Sequence, residues 1–462
     1  MLRFDPQIII EKLHELPAAD RYWVGFSGGL DSTVLLHALA MRRDQLPGAL
    51  QAVHVNHGLQ PEADVWRRHC EAVCRTLDVE FTHRDVKVHA DRGESLEAVA
   101  RERRYAVFAE LMQPGDCLLL AQHLDDQLET FLLQALRGTG LAGLAAMPAV
   151  ADFASGRLAR PLLDVAHETL SAWANEQKFV WIDDPSNQDV RFDRNYLRHE
   201  VLPHLKRRWP AAAETIARTA RHCAEALELL TAKAAEDLSC YAAPAGGSLS
   251  LRALRELPLP RAKQLIRYWL SRSGFPAPPA HKLEQVFTEM LTARPDRIPC
   301  VDWTGVELHR YRDRLYAQTP MPEVPEPFLL RIGEYRELGQ GLGRLGLVPA
   351  ATGIRASACP TTGLQVSFRD GGERCQPVGQ AHRRPLKKWL QELDVLPWLR
   401  SSLPLLGNGN ELMAVAGLFI CEPWQASQGE PALRLVWEDP PEFLGDDKKT
   451  ADFEGESMPA AS

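Results

Sequence analysis

The decapeptide VGFSGGLDST, Val24 to Thr33, constrains this chain more than any other stretch. It ends a short apolar run, Tyr22 to Phe26, and opens an amphipathic segment, Ser32 to Met41, with Leu35, Leu36 and Leu39 at helical spacing. The pattern predicts strand, glycine turn and helix. Such a turn suits a phosphate, because Gly28 and Gly29 let backbone approach a ligand and the first N–H groups of the helix point outward unpaired. Ser27, Ser32 and Thr33 add hydroxyl donors. Asp31 would repel a phosphate unless a divalent cation lay between them, so it reads as a metal-holding carboxylate. The competing reading is an ordinary turn in which Ser27 or Asp31 caps the helix. No G-x-x-x-x-G-K-[ST] occurs, which removes the main support for a γ-phosphate switch protein.

The surrounding pattern repeats the same unit. A helix within residues 1–18 precedes the first strand; Leu50 to Val55 gives a second strand, Glu62 to Leu77 a helix, and Val79 to Val86 a third strand. A helix from Ser95, its N-cap, to Met112 and a strand from Cys117 to Ala121 follow. Alternation at this spacing predicts an α/β fold, a parallel sheet with flanking helices, whose ligands collect at the carboxyl ends of the strands. Two more motifs occupy such ends. HVNHGL, His54 to Leu59, offers backbone groups to an adenine edge and imidazoles to phosphates. QHLDDQLET, Gln122 to Thr130, places Asp126, Glu129 and Thr130 on one face of a helix starting near Leu124, and with His123 these carboxylates suit Mg²⁺ or a cationic substrate.

Beyond them, the glycine turn RGTGLAGL, Arg137 to Leu144, is weak evidence by itself. A helix from Ala166 to Gln177 and a strand from Phe179 to Ile182 lead into WIDDPSNQDVRFDRNYLRHEVLPHL, where Arg194 and Arg198 stand at i, i+4 and suit phosphate or RNA backbone.

These motifs carry a resemblance. SGGLDST is similar to the phosphate loop of the N-type ATP pyrophosphatases, which split ATP between its α and β phosphates. SGGLDST, HVNHGL, LDDQLET, RGTGL and DDPSNQDVRFDRNYLRHEVLP together resemble the tRNA(Ile)-lysidine synthetase family across nearly all of residues 20 to 205. One departure is Gln122, where the resemblance predicts a second histidine before His123. The resemblance implies a cytoplasmic enzyme that binds ATP and Mg²⁺ and adenylates the wobble cytidine of tRNA(Ile) with anticodon CAU. L-lysine then displaces AMP to form lysidine. It further implies ATP binding by Ser27, Gly28, Gly29, Leu30, Asp31, Ser32, Thr33 and His54, with the metal on Asp31. Lysine would meet Asp125, Asp126 and Glu129; Asp31, Asp126 and Arg194 would be catalytic, and Arg198 would touch tRNA.

The carboxyl-terminal half reads as RNA-facing. Trp209 to Tyr241 is a long helix, followed by the turn PAGGS and a unit ending near Gln318. In that unit the helix Arg261 to Ser271 is basic on one side, and Pro295 to Gln318 alternates like a hairpin. TPMPEVPEP marks a stiff linker. Apolar runs near Phe328, Gly346, Leu364, Leu412 and Ala432 then predict a β-rich domain. Inside it, residues 369–400 carry seven basic residues (Arg369, Arg374, Arg383, Arg384, Lys387, Lys388, Arg400) against four acids (Asp370, Glu373, Glu392, Asp394), a local +3 in a chain of net charge −8. Arg374, Arg383, Arg384, Lys387 and Lys388 are therefore candidates for tRNA phosphates. The expected partition is a catalytic domain over 1–208, a spacer and RNA-binding domain over 209–318, a linker over 319–328, a basic β domain over 329–438 and a disordered acidic tail over 439–462. Nine cysteines without repeated spacing indicate reduced structural thiols, and no paired cysteines favour a tRNA thiolase. No apolar run is long enough to cross a bilayer, and no obligate protein partner is implied.

Overall fold

The computed structural model describes residues 3–58, 62–89, 96–242, 247–294, 297–409 and 411–441. Leu59, the Ser95 cap, most of the PAGGS turn and the acidic tail beyond residue 441 lie outside the described residues. The chain packs as two compact units, Met1–Leu229 and Leu230–Ser462.

The first unit is built on a six-stranded sheet. Its elements run α1 (Gln7–His14), β1 (Arg21–Gly25), α2 (Leu30–Met41), β2 (Ala49–Asn56), α3 (Ala63–Thr76), β3 (Glu80–Asp85), α4 (Leu96–Leu111), β4 (Cys117–Leu119) and α5 (Leu124–Leu136). The short α6 (Leu141–Leu144), β5 (Val150–Phe153), β6 (Gly156–Ala159) and α7 (His167–Glu176) follow, then α8 (Asp193–Tyr196) and α9 (Leu202–Arg208); α10 (Ala212–Tyr241) begins in this unit and ends in the second. The strand order is β3-β2-β1-β4-β6-β5, parallel except for the edge pair β5 and β6.

Side chains of β1 alternate between two cores. Tyr22 and Val24 join Ile9, Leu35 and Leu39 on one face, while Trp23 joins Phe108, Met112 and Leu118 on the other. Helices cover both faces, which explains why the central strands are continuously apolar. The order reverses at β1: successive crossovers run outward to β2 and β3, and the chain then returns to β4 on the other side. A crevice therefore opens at the carboxyl ends of β1 and β4, where this class of sheet binds ligands.

Three sequence expectations change here. Helix α2 is buried nearly all round, from Ser32 to Leu39, because α1 and α7 pack on the side turned away from the sheet. Residues 179–182 form no strand. The Ile182 N–H donates to Gly28 O at 2.9 Å and the Phe179 ring stacks on His37 at 3.8 Å, so the segment bonds the glycine loop instead of a sheet edge. The hairpin of β5 and β6 carries too few apolar residues to stand out, yet it completes the sheet through the β4–β6 register Leu118↔Leu158.

In the second unit, the helix Leu259–Arg272 buries Leu265, Ile266, Trp269 and Leu270 in a core shared with an antiparallel sheet. That sheet runs in the order Ser248–Ser250, Arg314–Gln318, Val306–Tyr311, Cys300–Trp303. Residues 328–438 form two antiparallel sheets, of five and four strands, around a common apolar core. A two-stranded ribbon, Arg374–Cys375 with Arg384–Pro385, packs Cys375 against Leu386, Trp389 and Leu405 in a second apolar core and leads into the helix Leu386–Glu392.

Candidate functional site

The glycine loop has the geometry of an anion cradle. Gly28 turns the chain at φ +86°, and Gly29 stands at the N-cap of α2 with no side chain capping the helix. Ser27 Oγ instead accepts from Gly29 N–H at 3.3 Å and lies 3.0 Å from Ser32 Oγ, so the reading in which Ser27 or Asp31 caps the helix fails. The opening N–H groups of α2, from Leu30 to Ser32, are left to a ligand, and the helix dipole favours an anion there. Thr33 departs from its expected role as a phosphate donor. It is fully buried and its Oγ1 donates to Gly28 O at 3.3 Å, bracing the loop from beneath.

An alanine at position 28 would put Cβ 2.6 Å from Ile182 Cδ1 and 2.9 Å from Cys70 Sγ, at a φ that side chains rarely adopt. Gly28→Ala is expected to destabilise the unit by roughly 2–4 kcal/mol, adding left-handed strain to overpacking. A thermal melt and an ATP-binding titration check this: the melting temperature falls and ATP affinity drops, whereas an unchanged affinity would detach the loop from nucleotide binding.

His54 is buried beside this loop, with Nδ1–H donating to Phe26 O at 2.9 Å and Cys70 Sγ lying 3.5 Å from the same nitrogen. Burial pushes its pKa down, so the ring is neutral and holds the end of β2 against β1. It was expected to form a nucleotide wall; the bond to Phe26 gives it a supporting position under the loop. Burial likewise pushes the Cys70 and Cys74 thiols up to about 12, the behaviour of inert core cysteines.

Across the crevice, His123 is the N-cap of α5 and forms a capping box with Asp126: His123 N–H donates to Asp126 Oδ2 at 3.0 Å. Behind it, α8 and α9 are joined by a π-helical turn, Leu197–Val201, a feature frequent at functional sites. It brings Arg194 and Arg198 onto the same two carboxylates. Arg194 binds Glu129 at 2.7 Å and Asp126 at 2.8 Å; Arg198 binds Glu129 at 2.7 Å and Asp126 at 3.2 Å. Burial pushes Asp126 up, but His123 and the two guanidiniums outweigh it and hold the carboxyl below its usual range. Arg194 and Arg198 are raised against the effect of their own burial by the same carboxylates. Two acids and two bases thus form one neutral cluster around the fully buried Glu129. Arg198 was expected on tRNA phosphate; in this structure it pairs with Glu129 and Asp126.

Asp125 was expected to meet lysine. It does not join this cluster: Lys206 pairs with it and the His167 N–H donates to it at 3.1 Å, so it ties α9 and α7 to α5. Gln122, the departure noted in the sequence, accepts from the buried Arg160 Nε at 3.1 Å.

Asp31 faces this group from the phosphate loop. Its carboxylate lies 3.6 Å from His123 Nε2 and 3.8 Å from His167 Nε2, and its Oδ1 is buried without a hydrogen-bond partner. Burial lifts its pKa against the pull of His123 and His167. An unpartnered carboxylate oxygen at the mouth of a phosphate loop fits a cation. His167 was not foreseen. It opens α7 after β6, and because β6 was not legible, nothing marked His167 as standing near a strand end.

Comparison with known proteins follows the same division. The sequence matches the PP-loop domain over residues 5–205, the TilS substrate binding domain over 249–316 and the TilS substrate C-terminal domain over 364–437. It is 42% identical to the tRNA(Ile)-lysidine synthase of Alkalilimnicola ehrlichii over 94% of this chain and 97% of that one. The chain belongs to the tRNA(Ile)-lysidine synthase family. It is also similar to the lysidine synthases of Coxiella burnetii, 37% identical over 92% of this chain and 95% of that one, and Vibrio cholerae, 40% identical over 90% and 93%. The matched PP-loop domain contains both halves of the crevice, the glycine loop after β1 and the polar cluster on α5.

Of the tRNA candidates in the second unit, Arg374, Arg383, Lys387 and Lys388 are exposed on the ribbon and its helix. Arg384 differs: it pairs with Glu392 and lies over the Trp389 ring at 4.4 Å, so it anchors the helix to the ribbon. Among the described residues no helix is long and apolar enough to cross a membrane.

Proposed function

We propose that this protein forms lysidine: it activates the wobble cytidine of tRNA(Ile) with anticodon CAU using ATP, then joins L-lysine to it. The observation that carries the reading is the pairing of an uncapped phosphate loop with a neutral carboxylate and guanidinium cluster across one crevice. In the first step the cytidine 2-carbonyl oxygen attacks the α phosphorus of ATP and pyrophosphate leaves. In the second the lysine ε-amine, having lost a proton, attacks C2 and AMP leaves. Activation turns a poor leaving group into a good one.

The loop N–H groups and Ser27 would hold the phosphates, and Asp31 would hold a divalent ion that neutralises their charge. ATP would arrive as its Mg²⁺ complex, in which phosphate oxygens and water supply most ligands. Lysine carries two cationic amines and a carboxylate, and the cluster offers both complements. Asp126 suits an ammonium, and Arg194 and Arg198 suit the carboxylate in bidentate geometry. Glu129, saturated by both arginines, keeps them in place.

Incubation with γ-labelled ATP, tRNA and lysine tests the reading. Pyrophosphate is expected to require tRNA, and lysidine to require lysine; pyrophosphate release indifferent to tRNA would overturn it. The exposed basic side chains give a second expectation. Replacing Arg383, Lys387 and Lys388 with alanine should weaken tRNA binding and flatten the salt dependence by about 0.7–0.9 in log–log slope for each phosphate that is no longer neutralised. Arg384→Ala should instead lower thermal stability, since it removes the ion pair with Glu392 and the contact over the Trp389 ring.

A further inference from the structure

We infer that Arg101, Tyr105 and Arg160 form a second anion site on the catalytic unit, which takes a phosphodiester group of the RNA strand whose base enters the crevice. Arg160 directly follows β6 and is only 7% exposed. Its Nε donates to Gln122 Oε1 at 3.1 Å, its Nη1 donates to Pro148 O at 2.7 Å, and it hydrogen-bonds the Tyr105 hydroxyl. Among the described residues these partners are all neutral. Clamping the loop before β5 accounts for the contacts, and a neutral amide could do as much. It does not account for the charge, because a buried cation is unfavourable until an anion faces it.

Tyr105 carries that charge outward. Its ring is fixed edge-on against Phe108 at 6.1 Å and Phe153 at 5.7 Å between centroids. Its hydroxyl oxygen also accepts from Arg101 Nη2 at 3.3 Å, and the exposed Arg101 guanidinium lies over the ring at 5.1 Å. An oxygen that accepts from two guanidiniums has both lone pairs engaged, so its own O–H is directed away from them as a donor. Arg104, one turn along α4, adds positive potential: after burial it is the next cause pushing the His57 pKa down to about 4. A guanidinium and a polarised hydroxyl side by side, backed by a buried cation, match the oxygens of one phosphate. The position selects which phosphate. Strand β6 stands two strand spacings, roughly 9–10 Å, from β1, so the site is set apart from the loop that takes the ATP phosphates. Arg160 leaves the same carboxyl edge of the sheet as the crevice, and a strand that places its base in the crevice brings its own phosphates to that edge.

The inference rests on the reading that the crevice receives RNA, and its test separates the two. Filter binding of tRNA at several salt concentrations compares the parent with Arg101→Ala, Tyr105→Phe and, from another side of α4, Arg103→Ala. Arg101→Ala is expected to weaken tRNA about tenfold and to flatten the log–log slope by about 0.7, the value for one phosphate of a single strand, with ATP affinity and circular dichroism unchanged. Tyr105→Phe, which removes one hydroxyl, should weaken tRNA about threefold, and Arg103→Ala should match the parent. In an anticodon stem-loop RNA, a neutral methylphosphonate at one of the two linkages flanking the wobble nucleotide should cost the parent about tenfold and cost Arg101→Ala nothing further. Equal slope loss in Arg103→Ala, or a methylphosphonate penalty undiminished in Arg101→Ala at both linkages, would overturn the site. Weakened inhibition by added pyrophosphate beside an intact tRNA slope would assign the anion to the leaving group and overturn the RNA assignment. A parent that binds tRNA through these residues yet releases no pyrophosphate would remove the lysidine reading and leave the site standing.

Discussion

Asp31→Ala is expected to lower pyrophosphate release by roughly 10³-fold while tRNA binding stays within about twofold of the parent. The argument is positional. Asp31 lies in the first turn of α2, its Oδ1 has no partner, and burial makes an isolated negative charge there unfavourable. A carboxylate in that state persists where a cation completes it. Asp31→Asn is the sharper control, because it keeps the volume and removes the charge. Rapid-quench measurement of pyrophosphate and filter binding of tRNA give the two readouts. Near-normal turnover in both variants would take Asp31 out of the cation site.

The second large effect falls on stability. Arg194→Ala removes one of the two guanidiniums that neutralise Glu129 and Asp126, leaving buried carboxylate charge undercompensated. Breaking such a pair from one side costs about 3–5 kcal/mol. Denaturant unfolding of the catalytic unit should show a loss near that size. Pairing Arg194→Ala with Glu129→Gln should recover part of it, since the stranded charge is then gone. Arg198→Ala should cost less, because its side chain is 36% exposed against 24% for Arg194 and water can replace more of what is removed. The pH dependence has a definite sign. Asp126 has a depressed pKa in the fold, so its contribution is fully present above the unfolded carboxyl value near about 3.9 and is lost as pH falls through the lower folded value. Arg194→Ala raises that folded value and should move acid unfolding of this unit to higher pH. A stability loss below about 1 kcal/mol would show the cluster to be solvent-screened.

Much of the fold was legible because local chemistry and global architecture agree. The apolar run before Ser27 and the helical repeat after it predicted β1 and α2, and the alternation that followed predicted a parallel sheet. What escaped had little local signal. The β5–β6 hairpin is short and mixed in character, and the segment 179–182 has the apolar look of a strand. Its neighbour is a glycine loop whose Gly28 carbonyl accepts from Ile182, a bond between residues far apart in the chain.

The sequence by itself determined the chemistry on offer: a glycine turn for phosphate, an aspartate for a cation, an acidic α5, and a basic carboxyl-terminal cluster. Residue type and spacing along one strand or helix suffice for that. Only the tertiary structure decided the partners. It directed Arg194 and Arg198 to Glu129 and Asp126, turned Asp125 toward Lys206, buried Thr33 and His54 beneath the loop, and set His167 beside Asp31. Charged and polar groups act at a few ångströms, and the neighbour within that reach is chosen by how distant segments pack. The spacing of residues along the chain does not encode it.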